Sequence, residues 1–173
     1  MPFTLYDATV ANFQQGLAAL DAILSRAPAH FAQQGTPLGE IVEARLAPDM
    51  LPFSFQVVSA AHHSMGALNA ARDGLFKPPV PPPGVDFAGL QALVTQARQG
   101  LDALRRDEVD ALMGKDMVFQ LGERRLPFVA EDFLLSFSVP NFYFHATTAY
   151  DLLRHRGMPL GKRDYLGRLR LKT

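Results

Sequence analysis

Apolar side chains recur at steps of three and four residues along much of this chain, which is the spacing of one face of an α-helix. The first such stripe comprises Val10, Phe13, Leu17, Leu20, Leu24 and Ala27. A second and clearer stripe comprises Phe87, Leu90, Val94, Ala97, Leu101 and Leu104. A chain with this pattern is expected to fold as a set of helices that bury their apolar faces against one another.

Capping residues, prolines and glycines set the expected limits of four long helices. Thr4 and Asp7 have the spacing of a capping box, and Pro28 is expected to end the first helix. Asp49 is expected to cap the second helix, and Pro140 to kink the fourth, which Gly157 ends. The four predicted helices cover residues 4–27, 50–72, 86–104 and 131–156.

Three shorter segments connect these helices. Residues 35–48 carry an apolar pattern that predicts one or two helical turns. Residues 75–85 contain five prolines, which favour extended polyproline geometry and a stiff crossover between helices two and three. Residues 117–129, with Gly122-Glu123 between two β-rich flanks, predict a small β-hairpin, and Pro127 confines its second flank to an edge.

Together these elements predict an all-α protein, a four-helix bundle with a long crossover between helices two and three and a small β-hairpin before helix four. No internal repeat or domain boundary is visible, so residues 1–173 are expected to form one domain with a basic C-terminal tail from about residue 158. The last helix is apolar on more than one side, so we expect it to be the most buried or to form a homodimer interface.

Composition excludes several classes of function. The 173-residue chain has 17 basic and 17 acidic residues and no cysteine, which excludes thiol nucleophiles and thiolate zinc sites. No apolar run approaches the roughly 18 residues that span a bilayer, and no signal-peptide pattern is present, so we expect a cytoplasmic protein without a membrane partner. Phosphate-binding glycine loops, Gly-x-Ser-x-Gly elbows and His-Glu-x-x-His helices are also missing from the sequence.

The positive charge is concentrated at the C-terminus. Residues 154–173 contain seven Lys or Arg residues and one acidic residue, so the rest of the chain carries a compensating negative charge. Such asymmetry attracts phosphates or an acidic partner. Because the whole chain is neutral and no aromatic platform accompanies the basic residues, nucleic acid is not an expected partner.

Histidines and their polar neighbours are the candidate site residues. Adjacent helical residues point about 100° apart, so His62 and His63 cannot face the same interior point. On the last helix Asn141, His145 and Thr148 form a polar stripe at steps of four and three. Each buried polar group costs about 1–3 kcal/mol when unsatisfied, so a polar partner must face this stripe. That partner is either a hydrogen-bond network or interface, or a ligand or metal.

Three segments of the sequence carry a family resemblance. They are Arg45-Leu46-Ala47-Pro48-Asp49-Met50, the stretch from Pro140-Asn141-Phe142-Tyr143-Phe144-His145 to Arg154, and Gly161-Lys162-Arg163-Asp164. In these segments, and over almost its whole length, the chain resembles a bacterial domain-of-unknown-function family of the DinB/YfiT-like superfamily. The resemblance implies a four-helix bundle that is commonly dimeric. In its metal-binding relatives, which include thiol-dependent transferases and isomerases, one histidine of the second helix and two of the fourth hold a divalent metal.

Carried over by position, this resemblance places metal ligands at His63, with His62 as the alternative, and at His145. The third ligand is expected four residues further on, where this chain has Ala149. Alanine cannot bind a metal, and catalytic zinc sites normally have three protein ligands. The resemblance therefore implies a degraded metal centre, and a divalent metal such as zinc or nickel is the only cofactor to consider.

Three functions follow from these observations, and the residues leave open whether the protein is an enzyme. The first is binding of a small molecule in a polar pocket between helices two and four, formed by His63, Asn141, His145 and Thr148. The second is a divalent-metal-dependent transferase or hydrolase, with the metal on His63, His145 and a further group. The third is a non-catalytic structural homodimer.

Overall fold

The structure is a computed structural model that describes residues 2–172, so Met1 and Thr173 of the predicted domain lie outside the described residues. It is mostly helical with one small sheet. The helices are α1 (Leu5–Ala8), α2 (Val10–Gln33), α3 (Leu38–Val42), α4 (Phe53–Ala61), α5 (Ala67–Asp73), α6 (Phe87–Asp102), α7 (Arg106–Asp110), α8 (Ala130–Asp132), α9 (Val139–His155) and α10 (Lys162–Leu166). The strands are β1 (Leu75–Phe76), β2 (Asp116–Leu121) and β3 (Arg124–Val129).

Four long helical segments enclose the core. A π-helical turn at His62–Gly66 joins α4 to α5, and a second at Phe133–Ser138 joins α8 to α9, so each pair runs as one continuous segment. Helix α2 packs against α6 and α9, and α4 packs against the same two helices. The largest fully buried side chains include Phe13, Phe31, Phe53, Phe133 and Phe142. The predominantly helical architecture predicted from the apolar stripes is therefore confirmed.

The first long helix differs from the prediction at both ends. It is interrupted at Thr9, whose hydroxyl donates to the Leu5 carbonyl at 2.7 Å, and it continues past Pro28 to Gln33. Pro28 has no N–H to donate to the Leu24 carbonyl four residues earlier. That carbonyl accepts a hydrogen bond from Gln91 Nε2 of α6 at 3.3 Å instead. The prediction that Pro28 ends this helix is wrong because a neighbouring helix replaces the lost bond.

The second long helix begins later than the sequence predicts, whereas two predicted helix ends agree with the structure. The predicted N-cap at Asp49 is wrong, since α4 begins at Phe53 with Pro52 as the N-cap. The Phe53 N–H, which has no partner within the helix, donates to the Ala44 carbonyl at 2.8 Å. Gly74 and Gly157 end their helices with φ of +82° and +93°, the left-handed conformation that glycine adopts without steric cost.

A three-stranded sheet covers one part of the helices. The predicted hairpin is confirmed, since β2 and β3 pair antiparallel around Gly122, which has a φ of +59°. Strand β3 with Pro127 is an edge strand, as expected. Strand β1 pairs parallel with β2 and was not predicted, so the all-α description omits part of the sheet. Among residues 2–172, no helix is long and apolar enough to cross a bilayer.

Candidate functional site

His63 and His145 lie side by side where the second long helical segment packs against the last. Their ring centroids are 5.8 Å apart and the ring planes differ by 18°. His63 is only 4% exposed, whereas His145 is half-buried. Of the four residues predicted to form the site, the structure brings these two together directly.

A π-helical turn carries His63. Ser64 follows it, and the Ser64 hydroxyl donates to the carbonyls of Ala60 and Ala61 at 2.9 Å each. A serine hydroxyl that bonds these carbonyls competes with the α-helical backbone bonds. Single π-helical turns inside α-helices are rare overall, and those that are observed are frequently at functional sites.

A second π-helical turn, Phe133–Ser138, ends two residues before Pro140, where the sequence predicted a kink. Pro140 has no N–H for the regular α-helical bond and its ring crowds the preceding turn. The widened turn absorbs this conflict. It ends at Ser138, whose hydroxyl donates to the His63 carbonyl at 3.0 Å and lies 3.3 Å from His63 Nδ1.

The hydrogen bonds of the two rings define their tautomers. The Ser138 hydroxyl donates its single proton to the His63 carbonyl, so its oxygen accepts from Nδ1–H of His63. His145 Nδ1–H donates to Gln56 Oε1 at 2.8 Å. The Gln56 amide is oriented by its own donation from Nε2 to the Leu51 carbonyl at 2.9 Å. In both imidazoles the lone pair therefore lies on Nε2.

Burial keeps both rings uncharged. Burial, with smaller contributions from His145 and His62, lowers the pKa of His63 to about 3. Burial also lowers the pKa of His145 to about 4. Two neutral imidazoles with free Nε2 lone pairs act as hydrogen-bond acceptors and favour donor groups over anions.

Aromatic side chains surround the pair. His63 packs against Phe76 and Phe137, with centroids 5.2 Å and 5.6 Å away, and Phe55 lies 5.8 Å from His145. These contacts account for the desolvation that lowers both pKa values. The sheet contributes to them, because Phe76 belongs to β1.

His62 belongs to a different contact. Its Nε2 bonds to the Lys77 carbonyl at 2.7 Å, at the beginning of the proline-rich crossover. Its ring centroid lies 4.6 Å from Phe76 and 6.0 Å from His63. Burial lowers the pKa of His62, and the bond to Lys77 opposes this shift. His62 therefore fixes the crossover against the helix.

Asn141 and Thr148, the other two predicted site residues, bond to their own helix. Asn141 Nδ2 donates to the Phe137 carbonyl and the Thr148 hydroxyl donates to the Phe144 carbonyl, each at 2.7 Å. Their polar groups are therefore satisfied locally. This explains how part of the polar stripe of α9 is tolerated next to apolar neighbours.

Three further polar residues lie at the site but were not predicted from the sequence to be site residues. Gln56, Ser59 and Ser138 are 2%, 0% and 0% exposed. Gln56 and Ser59 precede His63 at steps of three and four, which places all three on one helix face and was the available signal. Among residues 2–172, the Ser59 hydroxyl has no hydrogen-bond partner. We call these residues with the two histidines the polar seam, namely Gln56, Ser59, His63, Ser138 and His145.

The polar seam does not fit the three-histidine metal centre that the family resemblance implies. Ala149, at the third ligand position, is 0% exposed and belongs to the hydrophobic core. Within the described range, residues 2–172, no three or more His, Cys, Asp or Glu residues come together as a metal-binding group. A site with only two protein ligands lacks the set that catalytic zinc sites normally use.

Comparisons with known proteins agree with this architecture. The crystal structure of a DinB family member protein from Shewanella denitrificans matches the chain with a TM-score of 0.81 and 25% sequence identity. The match covers 98% of this chain and 95% of the other. No curated protein matches the chain.

The sequence comparison defines the family. The model of DUF1993, described as a domain of unknown function, matches residues 5–166. The chain therefore belongs to the DUF1993 family, and the predicted resemblance to a DinB-like domain of unknown function is confirmed.

Proposed function

We propose that this DinB-like protein is a four-helix bundle that binds a small, uncharged, hydrogen-bond-donating molecule at the polar seam, and that its metal centre is degraded. The observation that carries the proposal is the buried Ser59 hydroxyl, which has no partner among residues 2–172. Leaving such a group unsatisfied costs about 1–3 kcal/mol, and a bound polar molecule would recover it.

The two imidazoles define the chemistry of the ligand. Each Nδ1–H is already engaged, by Ser138 and by Gln56, so each ring offers an acceptor at Nε2. An anion would require an imidazolium, which burial disfavours. An amide or hydroxyl compound supplies donors to the two Nε2 atoms without any change of charge. In this proposal Asn141 and Thr148 border the pocket on α9 without donating to the ligand, because their donors are engaged by the Phe137 and Phe144 carbonyls.

A pair of isosteric probes tests this proposal. Acetamide and acetate have the same shape but differ in charge and in donor capacity. Thermal denaturation of the metal-free protein should show stabilisation that rises with acetamide concentration as RT ln(1 + [L]/Kd), and a weaker effect of acetate. Ser59→Ala should weaken the acetamide effect. Equal effects of both probes, or an unchanged effect in Ser59→Ala, would contradict the proposal.

The metal-dependent transferase or hydrolase is the second candidate. One observation favours it. Metal-ligating histidines usually donate a hydrogen bond from the ring nitrogen that does not bind the metal. Both histidines here bond through Nδ1, which leaves Nε2 for a metal. Elemental analysis of untagged protein distinguishes the two. Near-stoichiometric zinc or nickel that disappears in His145→Ala would replace our proposal with this one.

The third candidate is a homodimer, and it is compatible with ligand binding. The last helical segment exposes Leu135 and Phe144 at 45% and 57%. A contiguous exposed apolar patch marks an interaction site, and this candidate assigns both side chains to such a patch. Light scattering should give twice the chain mass of 19.0 kDa, and Phe144→Ser should shift it towards the monomer. A monomeric wild-type protein would exclude this assembly.

A further inference from the structure

A separate cavity of about 230 Å³ lies between α2, α9 and α10. Ala146 of α9 lines it, and Ala146 follows His145, so the cavity is on a different face of α9 from the polar seam. Helix α10 lies over the cavity, and two hydrogen bonds hold it there. Gln15 Nε2 donates to the Leu166 carbonyl at 2.9 Å, and the Tyr165 and Thr147 hydroxyls bond at 2.8 Å.

The walls of this cavity are mainly apolar. They include Ala19, Leu20, Ile23, Phe142 and Ala146. An apolar cavity of about 150 Å³ is large enough to bind benzene. A cavity of about 230 Å³ therefore has room for one substituted aromatic ring.

The rim of the cavity carries a positive charge. Arg170, from the basic tail, donates from its guanidinium to Asn12 Oδ1 at 2.6 Å, and Asn12 lines the cavity. Among residues 2–172, Arg170 is therefore held by a neutral amide and forms no ion pair with a carboxylate.

Tyr143 adds a hydrogen-bond donor at the same rim. Burial and the nearby Tyr165 raise the pKa of Tyr143, and Arg170 opposes this shift. The Tyr143 phenol is therefore neutral at pH 7 and can donate its proton to an anion. The positive charge of Arg170 and the phenol together make the rim complementary to a carboxylate.

We propose that this cavity binds a small carboxylic acid with a single aromatic ring, the ring lying between α2 and α9 and the carboxylate accepting from Arg170 and Tyr143. The proposal does not depend on the polar seam, whose neutral imidazoles favour uncharged donors. It also assigns a binding role to the basic tail, which the sequence associated with acidic partners.

Three probes separate the contributions of the ring and the charge. Benzoate has both, benzamide has the ring without the charge, and acetate has the charge without the ring. Titrations followed by calorimetry and by protein NMR should show benzoate binding at least about fivefold more tightly than either of the others. Benzamide binding at this cavity as tightly as benzoate, as located by the chemical shifts of α2, α9 and α10, or no benzoate binding at millimolar concentration, would overturn the proposal.

Two tail variants test the assigned cation. Arg170→Gln should weaken benzoate binding about tenfold, because it removes a charge-assisted hydrogen bond. Arg168→Gln removes an equal charge from an exposed position in the same tail and should leave the affinity unchanged. Equal losses in both variants would show diffuse attraction to the tail and would overturn the proposal. Both substitutions are on exposed residues, so neither removes core packing.

A third variant tests the cavity itself. Ala146→Met fills the space between α2 and α9 and should abolish the benzoate-induced shifts while the circular dichroism spectrum keeps its helical form. Chemical-shift changes on benzoate addition should map to residues of α2, α9 and α10. A folded Ala146→Met protein that still binds benzoate with wild-type affinity would place the ligand elsewhere and contradict the proposal.

Discussion

The imidazole rings of His63 and His145 lie 5.8 Å apart and within 18° of parallel, and each is held by a partner from the opposite helical segment. Ser138 bonds Nδ1 of His63, and Gln56 bonds Nδ1 of His145. The two bonds cross the same helix interface in opposite directions. The arrangement of the rings is therefore a property of a network, whose members stabilise one another in a low-dielectric interior.

The tautomers of this network are directly measurable. Gln56→Met removes the acceptor for Nδ1–H of His145 and keeps the length of the side chain. We expect a loss of about 1–3 kcal/mol in the free energy of unfolding, because a buried donor is left unpaired. Long-range ¹H–¹⁵N spectra at pH 7 should show protonated Nδ1 on both rings in wild-type protein, and mixed tautomers only for His145 in the variant. A wild-type ring with its proton on Nε2 would contradict the assignment.

Stability should fall with acid because both histidines are buried neutral. Their pKa values are about 3 and about 4 in the folded protein, compared with about 6.5 in an unfolded chain. Below pH 6.5 the unfolded state therefore binds more protons, and the free energy of unfolding decreases as the pH falls. Between pH 7 and pH 5 we expect a loss of at most about 2 kcal/mol for each histidine. Urea denaturation with EDTA present measures this loss.

Two variants assign this pH dependence to the pair. His145→Gln should remove only the share of the loss that His145 contributes, at most about 2 kcal/mol between pH 7 and pH 5, because His63 and His62, whose pKa values burial also lowers, still titrate. His155→Gln makes the same substitution at an exposed histidine at the end of α9, outside the pair, and is the matched control for the chemical change itself. A wild-type protein equally stable at both pH values would contradict the buried neutral state.

Local sequence patterns predicted the elements whose geometry is determined locally. The apolar stripe from Phe87 corresponds to α6, and Asp86 caps it by accepting from the Gly89 N–H at 2.8 Å. Gly74, Gly122 and Gly157 adopt positive φ at the predicted turn and helix ends. In each of these cases the residue and its hydrogen-bond partner lie within a few positions of one another.

The features that the sequence pattern missed depend on distant partners. Helix α2 continues through Pro28 because Gln91 donates to the Leu24 carbonyl, to which Pro28 has no N–H to donate. Strand β1 exists because the chain after Gly74 meets β2, and no alternating pattern marks its two residues. The proximity of His63 and His145 was expected only from the family resemblance. The contact of Ser138 with His63 depends on a π-helical turn that the sequence pattern does not indicate.

Replacing Ser59 and replacing Ser64 with alanine should change the free energy of unfolding in opposite directions. Ser59→Ala removes an unsatisfied buried group and should raise the free energy of unfolding of the ligand-free protein by about 1 kcal/mol. Ser64→Ala removes the bonds to Ala60 and Ala61 and should lower it by about 1 kcal/mol. Both serines are fully buried in one helical segment, so each is the matched control of the other in urea denaturation. Destabilisation of both variants would show that Ser59 holds a tightly bound water.

A side chain at position 16 is predicted to destabilise the folded protein, because Gly16 packs directly against Phe142. A Cβ at Gly16 would lie 2.7 Å from two ring atoms of Phe142, whose ring is backed by Phe13 at a centroid distance of 5.0 Å. Gly16→Ala should therefore lower the free energy of unfolding by about 1–3 kcal/mol through overpacking, despite the better helix propensity of alanine. Gly39→Ala is the control, since its Cβ meets nothing within 4 Å and it should be neutral or stabilising by up to about 1 kcal/mol. Equal stability of Gly16→Ala and wild type would show that Phe142 moves into the adjoining cavity, and benzoate binding should then be lost.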